Sequence, residues 1–310
     1  MNQEIYQRLL ELETAPQALQ NSCDYLAEKL RSFLSPQEPV LICFPDEGED
    51  SIGGMFGKAV RTCGAEPLFW KPNFYWKDLL RIAFSTRANT IIAHPTVVLG
   101  LMKLAKATQT PLYFYDVVLV GYPYARWMVE GIKKGLDCRV WGCYAVRSGP
   151  VILGFTCDQE AGIHIRDDIF EAMLVDEVGN PVEEPNRGKL MLRHKAAQEL
   201  IYDPEETSML RYQPCSCGCD APRLVETLYT GQTNLTKTLI EERFLQWSSV
   251  LDYRAVRTEC GVDMEVVVFP GESLPKLPTC ARLRVRPWNI DTEIPFYMLD
   301  HHVNTAENHW

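Results

Sequence analysis

The sequence predicts an α/β protein: a mainly parallel sheet with flanking helices, then an antiparallel β region, then a small α+β domain at the C-terminal end. Two patterns predict it. Between residues 17 and 141, short apolar runs alternate with longer amphipathic segments, the signature of βαβ units and parallel strands. After residue 150 the apolar runs are broken by tight turns, which marks antiparallel pairing.

Leu19, Cys23, Leu26, Leu30 and Phe33 recur at helical spacing and predict an amphipathic helix over 17–34, closed by Ser35-Pro36. Val40-Leu41-Ile42-Cys43-Phe44 then reads as a buried strand. The alternation continues with helices over 51–63, 76–85, 96–107 and 124–134, and with strands at 67–70, 90–93, 117–120 and 138–141. Ligands of such sheets bind beyond the carboxyl ends of the strands. That puts His94, Gly121-Tyr122-Pro123 and Gly142-Cys143-Tyr144 on the candidate rim. Further on, 170–175 and 188–192 flank a turn at Val178-Gly179-Asn180-Pro181. A polar stretch near 226–234 precedes a helix at 235–247, strands at 252–257 and 265–269, and a polar tail from Asp300 to Trp310.

The 310 residues carry 46% hydrophobic and 23% charged side chains, enough to bury a core. A net charge of −10 without any basic cluster argues against nucleic acid and anionic membrane as partners. No apolar run is long enough to span a bilayer, and the N-terminal residues lack an export signal, so a cytoplasmic location is expected. Eleven cysteines are present, and Cys23, Cys43, Cys63, Cys138 and Cys143 sit singly in apolar stretches as free core thiols. Pro214-Cys215-Ser216-Cys217-Gly218-Cys219 is different. Thiols so closely spaced suit a metal better than core packing.

Residues 137–224 carry a resemblance. In order come Val140-Trp141-Gly142-Cys143-Tyr144-Ala145, Gly149-Pro150, Phe155-Thr156-Cys157, Gly162-Ile163-His164-Ile165, Asp176 to Pro181, Gly188-Lys189-Leu190, Leu210-Arg211-Tyr212, and Cys215-Ser216-Cys217-Gly218 leading to Pro222-Arg223-Leu224. Segment after segment, this resembles the phenylacetate–CoA ligase branch of the adenylate-forming superfamily, over roughly residues 17–270. The resemblance implies a ligase-like α/β domain over 1–226, with a zinc-binding β region at 150–224, and a remnant of the family's mobile C-terminal domain over 227–310. It also implies that Cys157, His164, Cys215 and Cys217 converge as ligands of a structural zinc, with Cys219 as a neighbouring or substitute thiol.

The departures are as informative. The family's phosphate-cradling Ser/Thr/Gly loop has no counterpart in these residues. Ala145 stands where the family has its magnesium-associated Glu. Arg211-Tyr212-Gln213 runs into the cysteines without the Asp that holds the ribose, Val225 to Leu228 replaces the hinge motif, and no catalytic Lys is evident. Use of ATP and magnesium is therefore not expected. Gly121, Tyr122, Pro123, Trp141, Gly142, Cys143 and Tyr144 are the candidate ligand pocket, each also readable as a turn or core position. His94 reads more readily as a helix cap than as a catalytic base.

The expectation is a zinc-containing, catalytically degenerate binding or scaffold protein, a pseudoenzyme that could hold a small carboxylate. Its alternatives are an enzyme of different chemistry in the former acyl pocket, or an AMP-forming acyl–CoA ligase completed by a partner chain. A homodimer or a heteromeric protein partner is expected. The reasoning is that a parallel sheet needs both faces covered, and that the aromatic stretch 68–76 with Trp127 and Met128 would offer an apolar surface.

Overall fold

The structure, a computed structural model, describes residues 3–71, 75–121, 124–146, 150–159, 162–204, 206–229, 246, 248–258, 261–269, 281–289 and 295. The expected helix at 235–247, the polar tail, and Tyr122 and Pro123 of the candidate pocket lie outside these, apart from Gln246.

The first half alternates as its apolar pattern requires. After helices α1 (Gln3–Glu13) and α2 (Pro16–Leu30) come β1 (Pro39–Ile42), α3 (Ile52–Thr62), β2 (Glu66–Phe69), α4 (Trp76–Thr86) and β3 (Thr90–Ala93). They are followed by α5 (Pro95–Ala107), β4 (Asp116–Val120), α6 (Arg126–Leu136) and β5 (Arg139–Ala145). These five strands lie parallel in the order β2-β1-β3-β4-β5, with Leu41 facing both Leu68 and Ile91. The chain crosses from β1 to β2 in one direction and from β2 to β5 in the other. Right-handed crossovers therefore put α3 on one face and α4, α5 and α6 on the opposite one. Each strand is apolar on both sides for this reason. Val40, Ile42, Ile92, Val118 and Val120 pack on α2 and α3. Leu41, Ile91, Val117 and Leu119 pack beneath α4, α5 and α6.

Antiparallel pairing begins after β5. Strands β6 (Ile152–Thr156), β7 (Ile163–Ile165), β8 (Phe170–Val175), β9 (Gly188–His194), β10 (Ala197–Tyr202), β11 (Glu206–Arg211) and β12 (Arg223–Tyr229) extend the same sheet. The order outward from β5 is β6-β7-β12-β11-β9-β10, with β8 on β9. Helix α1, which the sequence reading did not anticipate, covers this region. Leu9 is fully buried against it, and the buried His194 ring donates through Nε2 to Glu13 at 3.0 Å while its Nδ1 accepts from the Ala196 N–H. Arg166, also buried, fastens the β region to α2 through Ser22 Oγ at 2.6 Å and the face of Tyr25.

The last described elements, β13 (Val250–Thr258), β14 (Gly261–Val268) and β15 (Ala281–Pro287), form a separate three-stranded sheet. Among the described residues it has no separate apolar cluster. Val250, Leu251, Met264, Val266 and Phe269 belong to the same apolar cluster as α4, α5 and α6. This explains why every residue of α5 from Pro95 to Leu101 is buried: the helix lies between two sheets. Lys103 on α5 donates to the Val250 carbonyl at 2.7 Å. β12 also runs to Tyr229, beyond the boundary expected at 226/227.

Several of the residues expected to offer an apolar surface are buried within the chain. Trp70, Trp76 and Met128 are core residues, 2%, 1% and 0% exposed, and Trp127 packs against the same cluster. The helices of the chain itself supply the two covers of the parallel strands.

Candidate metal centre

Cys157 follows the last residue of β6, His164 is the middle of β7, and Cys215 and Cys217 occupy the turn between β11 and β12. Antiparallel pairing brings them together, since β7 lies between β6 and β12, with His164 opposite Phe155 on one side and Arg223 on the other. The four ligand atoms all lie within 4.8 Å of one another. Cys157 and Cys215 have their Sγ atoms 3.8 Å apart, and Cys217 Sγ is 3.5 Å from His164 Nε2. A tetrahedron with metal–sulfur bonds of about 2.3 Å and a metal–nitrogen bond of about 2.0 Å has edges of about 3.8 Å and about 3.5 Å. The donor set and spacing fit zinc.

The turn is built to present its sulfurs. The Gly218 N–H donates to the Cys215 carbonyl and the Cys215 N–H to that of Cys219. The Cys217 N–H points at Cys215 Sγ and the Cys219 N–H at Cys217 Sγ, donors that favour thiolates. Gly218 holds φ +86° with nothing near its Cβ position, so the glycine serves the backbone conformation and not a lack of space.

Electrostatics point the same way. Burial opposes ionisation of Cys215, but the Cys217 N–H, the adjoining thiols and the Arg223 charge outweigh it and hold the thiol below its ordinary value. Cys217 is pushed up to about 11 by burial and by its neighbours Cys215 and Cys157. Three thiols in contact resist ionising together until a cation joins them. His164 is held below its usual value by burial and then by Arg223, which keeps the ring neutral, its ligating form. Its Nδ1 is buried and turned toward the Ala221 carbonyl, without the alignment of a full hydrogen bond. Cys219 is not one of the converging four; its backbone serves the turn.

The expected pocket residues are placed differently. Trp141 stacks on Phe33, in the turn that follows α2, with ring centres 4.6 Å apart, and donates to Asp116 at 2.8 Å. Cys143 is fully buried in the α2–α3 core, and burial pushes its thiol far above the ordinary value. Tyr144 points to the other face and donates to the buried Glu206 at 2.7 Å. Gly142 is overlain by Tyr124, whose hydroxyl would lie 2.6 Å from a Cβ there. Gly121, with φ +93°, ends β4 by donating its N–H to the Cys143 carbonyl. The five described residues are packing and turn positions, and strand alternation sends those of β5 to opposite faces. A surface cavity of about 490 Å³ lies elsewhere, against Asp46, Gly48, Lys58 and Arg61. His94 caps α5, its Nδ1 accepting from the Thr96 N–H.

No protein-family model matches the chain, and no curated protein matches it in sequence. Solved structures do. A 2-hydroxyisobutyryl-CoA ligase in its postadenylation state superposes with a TM-score of 0.62 at 12% identity, over 90% of this chain and 68% of that one. A benzoate CoA ligase from Burkholderia xenovorans gives 0.55 at 11%, over 90% and 65%. The amide bond synthetase of Marinactinospora thermotolerans gives 0.52 at 12%, over 86% and 62%. The chain has the adenylate-forming ligase fold. It spans between 60% and 73% of the length of the 2-hydroxyisobutyryl-CoA ligase structures. At these identities the likeness is one of fold, and it agrees with the architecture expected from residues 17–270.

In this ligase fold, Ala145 ends β5 at 2% exposure. Two contributors escaped the residue pattern. Glu206 and Tyr124 gave no signal, because a buried acid and a loop tyrosine are recognisable only by what they touch. Among the described residues no helix is long and apolar enough to cross a membrane.

Proposed function

We propose that this chain is a catalytically degenerate form of the ligase fold, a zinc-containing binding or scaffold protein of the phenylacetate–CoA ligase type. Ala145 carries the reading. At the position where the resemblance expects a carboxylate beside magnesium stands a methyl group, enclosed by the α2–α3 core. The neighbouring Tyr144 hydroxyl is committed to Glu206. Gln213 and Pro214 link Tyr212 to Cys215 directly, with no Asp for a ribose. Positioning and charge stabilisation are most of what such an enzyme contributes to nucleotidyl transfer, and these are the groups that would supply them.

Two further features support a structural role. The C-terminal strands, mobile in the family, are here joined to α5 through a shared apolar cluster. The zinc would lock the β6–β7 loop to the β11–β12 turn, contributing folding energy rather than chemistry. What the scaffold would hold is a protein, a second copy or a different chain, or a small carboxylate. Among the described residues, Tyr113 and Tyr115, 78% and 69% exposed beside the amino end of β4, are large side chains open to a partner.

The test is carboxylate-dependent ATP–pyrophosphate exchange by the purified full chain, across aromatic and aliphatic acids. No exchange above background is expected, and exchange with any acid would overturn the reading.

A further inference from the structure

A divalent cation held by three thiolates and a neutral imidazole carries one net negative charge. A half-buried site cannot leave that charge to water, so the chain has to answer it. One cation is in place. Arg223 begins β12 directly opposite His164, is 8% exposed, and donates through Nη2 to the Gln213 carbonyl at 2.9 Å. Gln213 lies two residues before Cys215, so the same side chain spans from the strand beside the histidine to the segment that carries the thiols.

We infer that Arg223 is a positioning residue of the metal centre: its buried guanidinium balances the negative charge of a tris-thiolate site and holds the Cys215 segment at β12. This rests on the metal reading above. It assigns Arg223 a role in metal retention and in the site's tolerance of three thiolates. A guanidinium suits that role because it stays charged when buried and can grip a carbonyl with one donor while keeping others.

The experiment measures the zinc dissociation constant of the full chain by competition with a chromophoric chelator, for the wild type, Arg223→Lys and Arg223→Gln. Cobalt(II) spectra of all three report the ligand set. Loss of the charge is expected to weaken zinc by about 10–100-fold, the range seen when groups supporting metal ligands are removed. Arg223→Lys should stay near the wild-type value, and the tetrahedral cobalt bands should be the same in all three. Should the glutamine variant fail to fold, Arg223→Met replaces it, filling the volume without burying a polar atom. Zinc held as tightly without the charge overturns the inference, as does a lysine variant as weak as the neutral one. Altered cobalt bands in the neutral variant overturn it too, since Arg223 would then shape the ligand set itself. A wild type that binds no zinc is a different failure, that of the metal reading.

Discussion

Cys157 and Cys215, 58 residues apart in sequence, hold their sulfurs 3.8 Å apart at the junction of β6, β7 and the β11–β12 turn. The packing of the antiparallel half therefore brings four ligand atoms to a point that could hold a cation. Cys217→Ala should lose the metal and lower stability by at least about 2 kcal/mol, a fall of about 3 °C or more in Tm for a chain of this size. A chelator should lower the wild-type Tm by a similar amount and leave the variant almost unmoved, because both act on one interaction. Differential scanning calorimetry with and without chelator checks this; an equal chelator effect on both proteins would contradict it.

Ala145 offers a test of degeneracy that does not depend on assay sensitivity. If the site were merely missing one group, Ala145→Glu would restore it. The position is 2% exposed and packed among Val120, Ile152 and Phe155, so a carboxylate there is buried without a partner. The expected outcome is a loss of roughly 3 kcal/mol or more in urea denaturation and no gain in adenylation. A stable variant that forms acyl-adenylate would show that the pocket is still open.

Lys103 makes the attachment of the C-terminal sheet depend on pH. Burial between α5 and β13 pulls its ammonium down to about 8, with Asp252 only partly opposing. The unfolded value is near 10.4. Between the two, the unfolded chain binds the proton and the folded chain does not, so stability rises with pH from about 8 to about 10. Below pH 8 both states are charged and the burial cost stands in full; its relief at high pH is on the order of 3 kcal/mol. Lys103→Met should remove this rise. Denaturation midpoints of both proteins at pH 7 and 10 measure it, since the titration of other groups cancels in the comparison. Parallel pH dependences would refute the assignment.

Much of the fold was legible because parallel strands buried on both faces must be apolar throughout. The runs at 90–93 and 117–120 fall inside β3 and β4 for that reason. Helix α1 was missed because its apolar residues serve the β region beyond α2, and no local signal says so. β10, β11 and β12 mix charged and apolar residues as half-exposed strands do, and only pairing defines them. At the metal centre the four residues implied by the resemblance are the four that converge. A Trp-Gly-Cys-Tyr string does not reveal that alternation will send Trp141 and Cys143 to one core and Tyr144 to another. Arg223 could be read as part of a motif, but its charge acquires meaning only opposite His164.

The central claim is that the antiparallel half is organised around one metal ion. Native mass spectrometry of the full chain, with zinc supplied in equal amount, tests it most directly. The account predicts a folded chain carrying one zinc, and a Cys217→Ala chain carrying none. A folded wild-type chain that stays metal-free under those conditions would contradict it.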